Sequence, residues 1–183
     1  MGKIKKILVT GAAGGVGSVA ISVLSKLGYK VVASTGRVEL TDYLKNLGAS
    51  DVIDRRELSE KGKVLGRERW AGAIDTLGSY TLANICSTTK YGGAIAACGL
   101  AQGYGFPATV MPFILRGVKL WGIDSVETSA KRRQFVWSQV TSLIDFNILN
   151  ETVKVVTMNE LLDIFPKMLK GQTSGRIVVD VNK

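Results

Sequence analysis

The sequence predicts an α/β fold, in which a doubly wound parallel sheet of about six strands is followed by a strand–helix–strand tail. Short apolar runs alternate with segments of helical periodicity, in units of roughly 20–30 residues, as in successive strand–helix units. Glycine is abundant and proline scarce, with 21 and 3 among 183 residues. This balance suits a fold with many tight turns between strands and helices, because glycine adopts the conformations that such turns need.

Six short apolar runs predict the strands of the sheet. They span residues 6–10, 30–33, 51–54, 71–75, 93–98 and 118–123. Apolar residues at helical spacing predict the helices between them, and Gly28 and Gly48 end the first two. These helices span residues 16–27, 40–47, 79–88, 112–115 and 129–146. The charged stretch 55–70 is expected to form a surface helix and a loop.

The last part of the chain has a different pattern. Residues 152–157 and 176–181 predict two more strands, and residues 159–170 predict a helix that Gly171 ends. We therefore expect one domain over residues 1–150 and a tail over residues 151–183, at the place where a second domain would normally attach.

The chain is strongly basic, with 24 Lys and Arg against 15 Asp and Glu and a formal charge of +9. This charge favours a phosphorylated ligand, and nucleic acid is the rival partner. The basic residues are scattered, and the densest cluster, at 131–133, opens a predicted helix. Such charge runs usually form a solvated face, so we expect no nucleic-acid binding.

Composition also excludes a membrane span and a metal site. No apolar run reaches the ~18 residues of a span. The run behind the basic residues 1–6 covers only residues 7–9, which is too short for a signal peptide. We expect a soluble, cytoplasmic protein with no membrane contact. Two cysteines and no histidine predict neither a disulfide framework nor a bound metal.

The turn between the first strand and the first helix, residues 10–17, reads Thr-Gly-Ala-Ala-Gly-Gly-Val-Gly. It matches the G-x-G-x-x-G fingerprint of dinucleotide sites, with Ala12 at the first position. Small residues there let backbone N–H groups and the helix N-terminus approach a pyrophosphate, which predicts a Rossmann-type domain. The same residues fit short-chain dehydrogenases, but none of the five tyrosines is followed by a lysine four residues later. That family's catalytic pair is therefore missing.

The segment after the second strand distinguishes NADP from NAD. An NAD site places Asp or Glu there to bind the ribose 2′-hydroxyl, whereas an NADP site has small polar and basic residues. The chain has Ser34, Thr35, Gly36 and Arg37 there. Arg55 follows the third strand, which should lie beside the second, and the nearest acid, Glu39, lies beyond the turn. Hydroxyl and guanidinium groups suit a 2′-phosphate, so we expect NADP(H) as the cofactor.

The ends of the fourth and fifth strands should lie at the same edge of the sheet, where ligands of open α/β sheets bind. Thr76, Gly99 and Leu100 are therefore expected to line the nicotinamide side of the cofactor. Each of them alone is more often a turn residue, and their shared edge favours the binding role.

Four further segments occur in a distinctive order: Gly-Ala-Ile-Asp-Thr-Leu-Gly at 72–78, Tyr-Gly-Gly-Ala-Ile-Ala-Ala-Cys-Gly-Leu at 91–100, Val-Met-Pro-Phe-Ile-Leu-Arg-Gly at 110–117 and Gly-Ile-Asp-Ser-Val at 122–126. With the glycine turn, they make residues 7–181 resemble the medium-chain dehydrogenase/reductase superfamily. The zinc-free quinone oxidoreductase branch, close to NADPH-dependent acryloyl-CoA reductases, is the most similar.

The resemblance implies a set of cofactor contacts. At the pyrophosphate these are Ala13, Gly14, Gly15 and Val16; at the adenosine phosphate, Thr35, Gly36, Arg37 and Arg55; and on the nicotinamide side, Leu100, Ile114 and Ser125. The residue patterns described above add Gly17, Ser34, Thr76 and Gly99 to the predicted site. Arg176, at the start of the last predicted strand, is a further family contact. The resemblance also implies a homodimer in which the strand at 118–123 pairs with its copy.

Two features depart from the family pattern. Ala13 occupies a position that is often serine, and we expect the family's N-terminal barrel-like domain, which supplies most of the substrate pocket, to be missing from this chain. The tail normally packs against that domain. We therefore expect the cofactor-binding domain of an NADPH-dependent oxidoreductase that transfers hydride to an enoyl-CoA or quinone substrate, nearly inactive by itself and with catalytic residues unknown. The alternative is a non-catalytic NADP(H)-binding sensor or assembly module.

Overall fold

The central sheet of the protein has six parallel strands in the order β3-β2-β1-β4-β5-β6, in a computed structural model that describes residues 5–183. The strands are β1 (Lys6–Val9), β2 (Lys30–Thr35), β3 (Asp51–Asp54), β4 (Trp70–Asp75), β5 (Thr89–Ala97) and β6 (Lys119–Gly122). From β1 the chain moves outward through β2 to β3, and then returns to β4 on the other side. This confirms the predicted doubly wound fold and puts its switch point between β1 and β4. Of the basic start, residues 1–4 lie outside the described residues.

Neighbouring residues of the central strands contribute to two different cores, because successive side chains point to opposite faces of a sheet. Leu8 and Val32 pack in one core with Ile85 of a helix, whereas Val9 and Val31 pack in the other with a second set of helices. The helices are α1 (Gly15–Lys26), α2 (Thr41–Asn46), α3 (Ser79–Thr88), α4 (Met111–Arg116), α5 (Ala130–Leu143), α6 (Phe146–Asn150) and α7 (Leu161–Leu169). The sheet is therefore covered on both faces.

Two predicted helices differ from the structure. The stretch 55–70 contains only a 3-10 turn, Arg55–Glu57, before β4 begins. Side chains from elsewhere hold its backbone instead, since Asn84 Nδ2 donates to the carbonyls of Leu58 (2.8 Å) and Glu60 (2.7 Å). The predicted helix 129–146 ends earlier, at Leu143, and a second short helix, Phe146–Asn150, begins where the prediction ended. The Asp145 carboxylate caps this second helix by accepting from the N–H of Asn147 at 2.9 Å.

The tail forms a separate two-stranded parallel sheet of β7 (Val153–Thr157) and β8 (Arg176–Asp180), with α7 between them. All three tail elements were predicted to within two residues at each end. The division into a domain over 1–150 and a tail over 151–183 stays a prediction. In the part of the chain that the structure describes, no helix is both long and apolar enough to cross a membrane.

Candidate functional site

A cleft of about 690 Å³ lies along the carboxyl ends of β1, β2, β4 and β5. It includes the switch point of the sheet, the position where open α/β sheets bind their ligands. Most of the residues predicted for the site line it: Ala13, Gly14, Gly15, Val16, Gly17, Ser34, Thr35, Gly36, Arg37, Arg55, Thr76, Gly99, Leu100 and Arg176. The structure therefore brings together residues from six separate parts of the sequence.

The glycine turn, residues 10–17, places the N-terminus of α1 at the middle of the cleft. Gly14 caps this helix without any side-chain hydrogen bond, and the first turn contains no acidic residue. The N–H groups of a first helical turn have no partners within the helix, so they can bind an anion. Gly17 packs so tightly that a Cβ there would lie 2.4 Å from the carbonyl oxygen of Gly11. This turn can therefore hold its form only with glycine at position 17.

At the β2–β3 end of the cleft, two arginines follow neighbouring strands. Thr35 pairs in register with Asp54, so Gly36 and Arg55 lie side by side, and a Cβ on Gly36 would lie 2.6 Å from Arg55 Nε. This confirms the prediction that Arg55 lies next to the end of β2. Glu39 is exposed and does not line the cleft.

Ser34 carries a buried polar atom that has no hydrogen-bond partner among the described residues. Its hydroxyl Oγ is buried at the cleft wall and makes no hydrogen bond to any residue that the structure describes. A buried hydroxyl without a partner costs free energy, roughly 1–3 kcal/mol, unless a ligand or water satisfies it. This oxygen is itself out of reach of solvent, so Ser34 lines the cleft through its other atoms.

The charged side chains that line the cleft are all basic. Its described lining residues include no Asp or Glu, but they include four basic side chains: Arg37, Arg55, Lys170 and Arg176. Within residues 5–183, no carboxylate forms an ion pair with any of these four. Uncompensated positive charge around a cavity attracts anions, and it strengthens their binding where water is partly excluded.

The β4–β5 end of the cleft is built on one buried carboxylate, that of Asp75. Its Oδ1 accepts from Thr10 Oγ1 at 2.7 Å, and its Oδ2 accepts from the N–H of Gly78 at 2.8 Å. Its carbonyl oxygen accepts from the N–H of Cys98 at 2.8 Å. Burial raises the pKa of Asp75, because it disfavours the charged form more than these hydrogen bonds favour it. Asp75 thus fixes the ends of β1, β4 and β5, and it positions Thr76 at the cleft.

The tail supplies a wall of the cleft that the sequence did not predict. The residues of this wall are Lys170, Gly171, Gln172 and Thr173. The cleft is also lined by four residues outside the tail: Gly11, Leu77, Cys98 and Ala101. Two hydrogen bonds hold the tail there: the N–H of Gly175 donates to the carbonyl of Ala13 (2.9 Å), and Arg37 Nη2 donates to that of Thr173 (2.7 Å). The only sequence signal was the short distance of these residues from Arg176, which the family resemblance had singled out.

Two predicted residues lie outside the cleft wall. Ile114 is 74% exposed on α4, and Ser125 is exposed after β6, where its carbonyl accepts from Arg133 Nη2 at 2.7 Å. Their assignment to the nicotinamide side stays a prediction. Among residues 5–183, no group of three or more Cys, Asp and Glu side chains is placed to hold a metal ion.

Comparison with known proteins identifies the chain's relatives. The sequence profile of the zinc-binding dehydrogenase family matches residues 15–144. Acrylyl-CoA reductase AcuI of Ruegeria pomeroyi is 48% identical over 177 residues, which make up 96% of this chain and 54% of that protein. The chain thus spans about half the length of the curated relatives it matches.

Two solved structures are similar throughout the chain. The yhdH oxidoreductase from Salmonella enterica, in complex with NADP, is 41% identical with a TM-score of 0.93, over 97% of this chain and 54% of that one. Bacillus subtilis YhfP, which carries the provisional name quinone oxidoreductase, was solved with NAD bound. It is 44% identical with a TM-score of 0.89, over 97% of this chain and 54% of that one.

These relatives agree with the superfamily and the branch predicted from the sequence motifs. Since the family profile covers most of the residues, the chain belongs to the zinc-binding dehydrogenase family, within the medium-chain dehydrogenase/reductase superfamily.

Proposed function

We propose that the chain is the NADP(H)-binding part of an oxidoreductase that transfers hydride from NADPH to an enoyl-CoA or quinone substrate. The observation that carries this proposal is the cleft itself, in which four basic side chains without carboxylate partners surround a helix N-terminus. A phosphorylated dinucleotide carries negative charge at its pyrophosphate and at its 2′-phosphate. The basic side chains that line the cleft suit both groups.

The residues of the cleft divide into three regions for this ligand. The first turn of α1 and Arg176 bind the pyrophosphate through backbone N–H groups and a guanidinium. Ser34, Thr35, Gly36, Arg37 and Arg55 surround the 2′-phosphate, for which the two guanidinium groups are donors. Thr76, Gly99 and Leu100 border the nicotinamide, with Ile114 and Ser125 further out. The bound cofactor supplies the hydride, and the protein orients it.

We infer a preference for NADP over NAD from the residues at the ends of β2 and β3. An acid at the end of β2 would repel a 2′-phosphate, and the described residues place none in the cleft. Arg37 and Arg55 instead offer planar donors that match phosphate geometry. A solved relative holds NAD and another holds NADP, so the preference of this chain is proposed from its own residues.

The substrate class comes from the relatives. One of them is named acrylyl-CoA reductase, and another carries the name quinone oxidoreductase. Both classes of substrate accept hydride at an electron-poor carbon or ring. In the enoyl case, hydride adds to the β-carbon and a proton to the α-carbon, and we assign no residue of this chain as the proton donor.

We also propose that β6 mediates a homodimer. It is the last strand of the sheet and pairs only with β5 among the described strands, so its outer backbone groups are available. Trp121 on this strand is 59% exposed. Pairing of β6 with a second copy would satisfy these groups and cover this side chain.

Calorimetric titration of the chain with NADPH and with NADH tests the cofactor assignment. We expect NADPH to bind more tightly and Arg37→Ala to weaken NADPH binding about tenfold to hundredfold, the effect of losing hydrogen bonds to a charged group. Arg56→Ala is the matched control, because Arg56 pairs with Asp54 on the surface. Equal affinities for the two dinucleotides would overturn the assignment.

A second experiment tests the reaction. The full-length protein should oxidise NADPH with acryloyl-CoA or with a quinone. NADPH binding without oxidation by either acceptor would instead favour a non-catalytic NADP(H)-binding module.

A further inference from the structure

The segment of the tail that lies over the cleft, residues 170–176, is here called the tail strap. It leaves α7 through a turn that ends the helix. In this turn the N–H of Gly171 donates to the carbonyl of Met168 (2.9 Å), and the N–H of Gln172 donates to the carbonyl of Lys167 (2.8 Å). Gly171 has a φ of +66°, as this pair of bonds requires. The turn fixes the direction in which the strap leaves the helix, toward the β2–β3 end of the cleft.

The far end of the tail strap is fixed by Gly175. Its N–H donates to Ala13 in the glycine turn, while a Cβ on it would lie 1.9 Å from the carbonyl oxygen of Thr152. Its φ of +58° also requires glycine. The strap is therefore held between the glycine turn and the start of β7, with no room for adjustment at this position.

Between these two ends, the tail strap contacts Arg37. Arg37 Nη2 donates to the carbonyl of Thr173 at 2.7 Å, which holds the guanidinium at the cleft. This acceptor is neutral, so the charge of Arg37 remains available to an anion. Lys170 lines the same cleft, and none of the carboxylates in residues 5–183 pairs with it.

We propose that the tail strap is a wall of the 2′-phosphate site, in which Lys170 is a specificity-determining residue and the Thr173 carbonyl positions Arg37. This inference rests on the proposed NADP(H) function. A phosphate dianion at the β2–β3 end then meets three cations, Arg37, Arg55 and Lys170. NADH, which has a hydroxyl there, gains nothing from Lys170.

Titration of Lys170→Gln with NADPH, NADH and 2′,5′-ADP tests the role of Lys170. We expect NADPH and 2′,5′-ADP to bind about fivefold more weakly, as for the loss of one partly exposed charge pair, and NADH to bind as before. Lys167→Gln, on the same helix but outside the cleft wall, should change none of the three affinities. An equal loss for NADPH and NADH, or no loss at all, would overturn the proposal.

Gly175→Ala tests the positioning of Arg37, since it displaces the tail strap without removing a cation. We expect the ratio of NADPH to NADH affinity to fall, in a protein whose folding is checked by its circular dichroism spectrum. If the variant folds and binds both dinucleotides more weakly with the ratio of their affinities unchanged, the Thr173 carbonyl does not position Arg37. If the unmodified chain binds neither dinucleotide, the proposed function itself fails. If it binds NADPH and Lys170→Gln has no effect, only this inference fails.

Discussion

The guanidinium of Arg176 lies over Gly15, so closely that a Cβ built on Gly15 would lie 0.8 Å from its Nη1 atom. The second residue of the Gly14–Gly15 pair is therefore small for two reasons. A ligand phosphate needs close approach to the helix N-terminus, and the Arg176 side chain occupies the space where a methyl group would lie. The first residue of β8 and the first residue of α1 thus lie together in the wall of the cleft.

Gly15→Ala tests this arrangement. The methyl group should displace Arg176 and obstruct the helix N-terminus, so we expect NADPH and NADH to bind about tenfold more weakly or worse, with their ratio preserved. Calorimetric titration measures both. Gly105→Ala is the control, because a Cβ there meets no atom within 4 Å. A loss confined to NADPH would place Arg176 at the 2′-phosphate instead.

Arg55 and Arg56 form a matched pair of neighbours. Arg56 donates to the Asp54 carboxylate from its Nε at 2.9 Å, which lowers the pKa of Asp54, whereas Arg55 lines the cleft. We expect Arg55→Gln to weaken NADPH binding about tenfold and to leave NADH binding unchanged. Arg56→Gln should leave both affinities unchanged. Calorimetric titration with NADPH and NADH measures both variants. If Arg56→Gln weakened NADPH binding more than Arg55→Gln did, the cofactor would be wrongly assigned to this cleft.

Asp75→Asn should destabilise the fold by about 2 kcal/mol, because both carboxylate oxygens accept hydrogen bonds and one becomes an N–H₂ group facing a donor. Burial raises the pKa of Asp75 above its ordinary 3.8, so the folded protein holds this proton more tightly than the unfolded chain. Wild-type stability therefore falls as the pH rises from 3.8 through the raised value, and the variant lacks this slope.

Thermal unfolding at about pH 4 and about pH 8 measures this dependence. The cost of Asp75→Asn should be larger at the lower pH. Asp163→Asn, on the exposed face of α7, is the control and should cost little at either pH. A cost that grows with pH would mean that the carboxylate is stabilised, not penalised, by its surroundings.

Trp121→Lys tests the proposed homodimer. A lysine on the edge strand disfavours pairing with a second copy, so the dissociation constant of the dimer should rise roughly thirtyfold or more. Sedimentation velocity over a concentration series measures it. Trp137 on α5 is also 59% exposed, so Trp137→Lys is a control of equal exposure. A dimer that survives Trp121→Lys and dissociates with Trp137→Lys would move the interface to α5.

The elements that the sequence predicted well depend on local signals. Helix α3 spans Ser79–Thr88 and β3 spans Asp51–Asp54, as expected, because glycine and polar residues bound these patterns on both sides. The neighbourhood of Arg37 and Arg55 followed from the order of strands in a doubly wound sheet. Most of the cleft could therefore be predicted from strand ends alone.

The parts that could not be predicted depend on contacts between distant residues. The stretch 55–70 carries enough charge for a surface helix, but the Asn84 side chain takes up its backbone carbonyls. Lys170 lines the cleft on the same segment as Thr173, which accepts a hydrogen bond from Arg37, 136 residues away in the sequence. The family resemblance pointed to Arg176 in this tail, but no local pattern indicated that residues 170–173 would also line the cleft.

The hydrogen bonds from Gly175 to Ala13 and from Arg37 to Thr173 also have a consequence for the order of folding. During synthesis the glycine turn and both arginine-bearing strand ends emerge well before the tail residues that complete the cleft. Contacts between such distant segments form slowly, since a long loop must close first. A dinucleotide that binds only the completed cleft would stabilise that closure by mass action. We therefore expect the cofactor to protect the tail from local unfolding and proteolysis more than it protects the sheet.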